Sequence, residues 1–287
     1  HDPFAAPRPA PSLAPTSPLD GRRPRVLAHV LRAFDWHQGG AERALWGVLK
    51  GFQARGWDAM CVTVENRAPL PLTRVWDSIP IQVLTDAQMA APYEWCDLAI
   101  THLDVTPSAM AWARYGRPLA HLIHNHRQLA HHRVPDDGNN FPIWNSDWIR
   151  AEHPDWSGPS IVCHPPSRSA DHKTVNAKRA SKRTATLVNL LGEKGGPLFW
   201  RLAEAVPDWR FLGCEGAYGM QCLPEVMPPN GEYVRQNTDM TWVWKQTSVL
   251  LVPSWYESWS LTAVEAIASG IPVIAHPTPG LLESMTS

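Results

Sequence analysis

The sequence has no CxxC pair: its five cysteines, at positions 61, 96, 163, 214 and 222, lie far apart. That argues against a clustered zinc site and against the disulfide frame of a small secreted domain. They read as small buried residues in a reducing compartment, so the expected location is cytoplasmic. No basic excess is present either. The formal net charge is −1, with 19 Lys+Arg against 17 Asp+Glu up to residue 180 and 7 against 10 after it. A dedicated nucleic-acid binder would carry more positive charge in one half. No apolar run approaches the ~20 residues of a membrane span, and the first residues lack the apolar stretch of a signal peptide. Asp-x-Asp is absent, which removes a common oxygen pair for a metal that holds a nucleotide diphosphate. The dinucleotide pattern GxGxxG and the P-loop pattern GxxxxGK[ST] are missing too.

What is present suits a globular chain. With 287 residues and 44% hydrophobic content, it can bury one large or two ordinary domains. Residues 1–24 hold seven prolines and are expected to be disordered. Twelve of the 13 histidines precede residue 180, so the first half turns positive below about pH 6.5.

From Arg25 onward, short apolar runs (RVLAHVL, DAMCVTV, DLAITH, PLAHLIH, FPIWN, IVCHPP) alternate with amphipathic ones (AERALWGVLKGFQARG, PSAMAWARYG, SDWIRAEH). This is the rhythm of helical crossovers on a parallel sheet. Residues 165–183 are polar and lack an apolar period, as expected of an interdomain linker. The rhythm restarts with TATLVNLL, PLFWRLAEAV, WRFLG, MTWVWKQT, SVLLVPS and PVIA. The expected class is therefore α/β, with two facing Rossmann-like doubly wound domains at 25–164 and 184–287. The C-terminal one of these is expected to be incomplete, because such a domain would ordinarily add further elements. Ligands bind such sheets at the carboxyl ends of the strands.

Four stretches could carry chemistry there. Gly39 and Gly40 follow the first strand and open a helix, where a phosphate or sugar can approach the backbone closely; a simple turn would use the same pair. His124 closes the strand PLAHLIH. The spacing HxxHxH from His121 to His126 hints at a metal, but a strand turns His121 and His124 to opposite faces, and no metal is expected. Lys194, before Gly195 and Gly196, would place a mobile cation at a helix entrance suited to a diphosphate, or would simply face solvent in a turn. In YESWSLTAVEAIASGIPVIA, a serine at 258 or 260 can cap a helix that stops at Gly270. Glu257 then lies at the helix mouth and Glu265 about two turns inside.

Taken together, GGAE after the first strand, the closing histidine, EKGG, the run from Glu257 to Ile274 and the trailing PGLLE resemble the retaining glycosyltransferases of family 4, which have the GT-B fold. The most specific match is at Glu257, Leu261, Glu265, Ala266, Ala268, Gly270, Pro272, Val273 and Ile274. The resemblance implies a nucleotide-diphosphate sugar bound by the second domain, an acceptor mostly on the first, and transfer with retention. By position, Glu265 would hold the ribose hydroxyls, Glu257 a hydroxyl of the donor sugar and Lys194 the diphosphate. Gly39 and Gly40 would approach donor phosphate and acceptor, while His124 would contact the transferring sugar. Ser260 and Leu261 fall in the same donor-binding run.

Three features depart from the family. Val188 and Asn189 stand where Gly-Arg is frequent, Trp259 and Ser260 replace Phe-Gly, and the sequence stops at Ser287 before the family's closing helix. Ser260 could cap the helix, donate a hydrogen bond to phosphate or crowd it. No cofactor is expected beyond the sugar nucleotide. The acceptor stays open among glycan, lipid, small molecule and a modified DNA base, as does peripheral membrane contact through the basic amphipathic helix RALWGVLKGFQAR. A nucleotide-sugar epimerase and a non-catalytic sugar-nucleotide-binding protein are the competing readings.

Overall fold

The computed structural model describes residues 21–32, 39–64, 72–113, 117–167, 183–235 and 240–286. Most of the expected disordered N-terminus and residues 168–182 of the expected linker fall outside them. The first sheet has eight strands: β1 (Arg25–Val30), β2 (Asp58–Val64), β3 (Leu72–Trp76), β4 (Ile79–Leu84), β5 (Leu98–His102), β6 (Leu119–Ile123), β7 (Asn140–Trp144) and β8 (Ile161–Val162). Their order is β3-β4-β2-β1-β5-β6-β7-β8, parallel except for the β3–β4 hairpin. The second sheet holds β9 (Thr184–Val188), β10 (Arg210–Cys214), β11 (Gly231–Val234), β12 (Val249–Val252) and β13 (Val273–Ala275). It runs β11-β10-β9-β12-β13, all parallel. The expected α/β class with two parallel-sheet layers is what the chain adopts.

Each sheet is covered on both faces, which explains why the strands read as continuous apolar runs. In β1, Val26, Ala28 and Val30 pack with Leu45 and Leu49 of helix α1 (Gly40–Ala54). Leu27 turns the other way, toward Tyr93 of α2 (Ala90–Trp95) and Ala109 of α3 (Thr106–Ala113). Two short helices, α4 (Gln128–His132) and α5 (Asp147–Ala151), follow β6 and β7. In the second sheet, Phe199 and Trp200 of α6 (Gly196–Ala205) cover one face. Trp244 of α7 (Met240–Gln246), Ala263 and Ala266 of α8 (Leu261–Ala268) and Leu281 of α9 (Pro279–Thr286) cover the other.

Strands β3, β4 and β11 were not legible as apolar runs. β3 and β11 lie at sheet edges and have no fully buried residue, while Pro80 interrupts β4. The β3–β4 turn places Asp77 and Ser78 at φ of 46° and 63°, the left-handed pair that suits the twist of a hairpin. Trp46 and Lys50 of α1 hold that turn through Asp77.

The second domain ties to the first through α9. Gly280 lies so close to the carbonyl of Glu257 that a side chain there would overlap it. One turn later, the Glu283 carboxylate accepts the backbone N–H groups of Asp147 at 2.7 Å and Trp148 at 2.9 Å, and His164 Nε2 is 3.0 Å away. A carboxylate on the open N–H groups of α5 is a favourable placement. Glu283→Ala is expected to lower unfolding free energy by about 1–3 kcal/mol, since charge-assisted bonds to one exposed and one partly buried donor are lost. Urea titration measures it.

Candidate functional site

The carboxyl ends of the central strands of both sheets open onto one cleft of about 850 Å³, within the ~300–1,000 Å³ usual for small-molecule sites. The strand order explains the location. In the first sheet the connections reverse direction between β1 and β5, and in the second between β9 and β12; loops diverge at such points and leave a crevice. The loops leaving those four strands deliver Gly39 and Gly40, His102 and Asp104, Asn189 and Lys194, and Tyr256 to Thr262. His124 follows β6 at the same wall.

Lys194 Nζ donates to Glu257 Oε1 at 2.8 Å and to the Tyr256 carbonyl at 3.3 Å. The side chains of Lys194 and Glu257 are only 14% and 15% exposed. Burial alone would lower the lysine pKa, but the Glu257 carboxylate, together with smaller contributions from Tyr218 and Glu193, offsets it, so the pKa is raised. The ammonium is therefore charged throughout the physiological range. Gly195, at φ 87°, turns the chain from Lys194 into α6 in a left-handed conformation that favours glycine.

Ser260 is the serine that caps α8: its Oγ accepts the Ala263 N–H at 3.3 Å and lies 3.2 Å from Thr262 Oγ1. Of the three roles open to it, capping is the one its contacts show. Leu261 lines the cleft, and its side chain approaches the space above Gly40. Glu265 is different. It is 2% exposed, is not part of the cleft lining, and its Oε1 pairs with Arg43 Nη2 of α1 at 2.9 Å.

His124 is held from behind, where its N–H donates to Gln128 Oε1 at 3.1 Å and Gln128 Nε2 donates to the Leu122 carbonyl at 3.1 Å. Its Nε2 is 3.2 Å from Nδ1 of His102. Burial lowers the pKa of His124 to about 4; burial, then the neighbouring His124, holds His102 well below its ordinary value. His124 is half-buried at the cleft wall, so water from the open side moderates that shift. Both rings are neutral at pH 7, one donating to the other. His121 points away from the cleft as strand alternation predicts, with Nε2 2.8 Å from Asn140 Oδ1.

Several contacts at the cleft had no local signal in the sequence. Tyr256 Oη receives the backbone N–H of His126 at 3.2 Å and lies 3.1 Å from its Nδ1. Asn145 Nδ2 donates to Ser258 Oγ at 2.8 Å. Trp259 stacks on His164 with centroids 4.1 Å apart. Each pair joins residues more than 90 positions apart, beyond the reach of any periodicity. Asn189 adopts φ 71°, a left-handed conformation that asparagine tolerates better than most residues, and its Oδ1 takes the Leu191 N–H at 3.4 Å. Among the described residues, two groups could gather around a metal: Asp104 with His131 and His132, and Asp147 with His164 and Glu283. No described helix is long and apolar enough to cross a membrane.

Residues 230–287 match the family described as family 4 glycosyltransferases in conflict systems. No curated protein sequence matches the chain. Among solved structures, a sucrose-phosphate synthase of Thermosynechococcus elongatus superposes with TM-score 0.70 at 16% identity, over 91% of this chain and 82% of that one. HepE of Anabaena, in complex with UDP and glucose, gives 0.69 at 16% identity over 90% and 82%. The pneumococcal O-GlcNAc transferase GtfA, in complex with UDP and GlcNAc, gives 0.65 at 11% identity over 90% and 85%. Identities this low speak for shared architecture. The chain thus has the fold of the GT-B glycosyltransferases, and its resemblance to family 4 rests on that fold together with the match over residues 230–287.

Proposed function

We propose that this protein is a retaining glycosyltransferase that moves a sugar from a nucleoside diphosphate sugar to an acceptor, without help from a divalent metal. The observation that carries the reading is the meeting, in one cleft, of a partly buried, charged lysine with the starts of α1, α7 and α8. Helix starts offer unpaired N–H groups and partial positive charge to a phosphate. Lys194 brings one whole positive charge toward the departing diphosphate, and Glu257 beside it accepts a sugar hydroxyl. Glu265 takes the ribose hydroxyls and Leu261 borders the nucleotide. His124, being neutral, offers the sugar a hydrogen bond without repelling the positive charge that develops at the anomeric carbon. The acceptor enters along the wall of the first sheet, past Asp104, His126 and Arg127.

In the step proposed, the bond from the anomeric carbon to the phosphate oxygen breaks and the bond to the acceptor oxygen forms on the same face. The acceptor proton passes to the leaving diphosphate. Since HepE and GtfA were solved with UDP, UDP-sugars are the first donors to try. Calorimetry with UDP-, GDP- and ADP-sugars in the presence of EDTA is expected to select one nucleotide class. Glu265→Ala should weaken that binding by about tenfold or more, as charge-assisted hydrogen bonds are lost. No binding of any sugar nucleotide at millimolar concentration would overturn the reading. Once an acceptor is found, NMR of the product's anomeric configuration tests retention.

A further inference from the structure

Arg43 stands in the first turn of α1, its N–H bonded to the Gly39 carbonyl at 2.9 Å, and it lines the cleft. Its guanidinium crosses from the first domain to the second and meets Glu265 at 2.9 Å, yet the arginine side chain is 40% exposed while the carboxylate is 2% exposed. The carboxylate is fixed and desolvated, whereas the cation covering it is half in water and hangs from a flexible stem. Among the described residues, Arg32, Arg43, Arg127 and Lys194 are the Lys and Arg side chains that line the cleft. Lys194 already shares its charge with Glu257, and Arg127 Nε donates to His126. A nucleoside diphosphate brings at least two negative charges into this space, more than Lys194 alone can balance.

Resting on the sugar-nucleotide reading of this cleft, we propose that Arg43 is a transferable cation. In the empty protein it neutralises Glu265; when ribose hydroxyls take over that carboxylate, the guanidinium passes to the diphosphate, which it can hold with two parallel N–H donors. A nucleoside without phosphates has to displace Arg43 and gives it nothing in return. A nucleoside diphosphate supplies the new anion as it removes the old one. The pair thereby makes the site select for phosphorylated ligands and couples donor entry to loss of a contact between the domains.

The test compares UDP with uridine by calorimetry, or GDP with guanosine if the panel selects that class, in wild type, Arg43→Ala and Arg43→Lys. Arg43→Ala is expected to weaken UDP by about 10- to 100-fold, the usual size of a charged hydrogen bond, while uridine binds unchanged or tighter. The UDP-to-uridine affinity ratio therefore collapses, and Arg43→Lys retains part of it. If Arg43→Ala moves both ligands by the same factor, or tightens UDP, the transfer is wrong and the arginine only braces the domains. Should that variant fail to fold, Arg43→Ala/Glu265→Gln is read against Glu265→Gln, again through the ratio. Wild type that binds neither ligand class defeats the proposed function itself. Wild type that binds UDP, with a ratio insensitive to Arg43, defeats this inference alone.

Discussion

Lys194→Ala is expected to reduce turnover by about 10²–10³-fold, the loss typical when a preorganised stabiliser of developing charge is removed. The group it would stabilise is the diphosphate, which gains negative charge as the glycosidic bond stretches. Lys194 is suited to this because its charge is already held in place by Glu257 at 2.8 Å and by the Tyr256 carbonyl at 3.3 Å, so little reorganisation is needed when the bond breaks. The substitution has a further effect. It leaves the largely buried Glu257 carboxylate without this cation, which should destabilise the fold by about 1–3 kcal/mol, less than for a fully buried pair because both groups keep some water. Lys194→Ala/Glu257→Gln, read against Glu257→Gln alone, separates the two: thermal stability returns, while turnover stays well below that of the Glu257→Gln protein. The assay is release of UDP from a UDP-sugar with water in place of the acceptor, alongside UDP affinity. Wild-type turnover in a stable Lys194→Ala protein would remove Lys194 from the mechanism.

Acidification is expected to destabilise the fold steeply between pH 6.5 and 4. His29 and His121 are fully buried, and burial lowers each pKa to about 4. His29 Nδ1 pairs with the Tyr93 hydroxyl at 2.9 Å, and His121 with Asn140; the other nitrogen of each ring has no partner among the described residues. Around His121, Asn140 and Asp137 favour the proton and His132 opposes it, without overcoming burial. The folded state thus keeps both rings neutral, whereas the unfolded chain takes up protons near pH 6.5. Their contribution is fully present above about pH 6.5 and disappears as pH falls toward 4. At pH 5 the two together account for a loss of about 4 kcal/mol, roughly 2 kcal/mol each by linkage. His102 acts in the same direction. Urea titrations at pH 7 and pH 5 measure the difference, and His121→Gln should remove its share. A pH-independent midpoint over this range would show that these rings protonate without unfolding.

The sequence revealed what is local. The run from Ser260 to Gly270 announced its own helix by period and cap, so Glu257 and Glu265 could be placed on the loop and the helix flank without a structure. Lys194 and His124 could be placed at the cleft because strand ends in parallel sheets face ligands, and each follows a recognisable apolar run. Arg43 was in view beside the glycine pair, but its pairing with Glu265 spans both domains. Nothing in the spacing of AERAL tells a solvated arginine from one covering a distant carboxylate. The edge strands β3 and β11 escaped notice because an edge buries too little to need a continuous apolar run.

Arg43 with Glu265, Asn145 with Ser258, His126 with Tyr256, and Glu283 with the start of α5 join the two halves through polar atoms, beside the ring contacts of Trp259 with His164 and Tyr256 with Trp148, whereas each sheet has its own apolar core. Polar contacts of this kind can be exchanged for water at small net loss, so the halves can hinge without unmaking either core. Motion about such a joint falls on the microsecond-to-millisecond scale. Amide hydrogens at the start of α5 should therefore exchange far sooner than those of β1 or β9, and sooner still as salt weakens the ionic members of the joint.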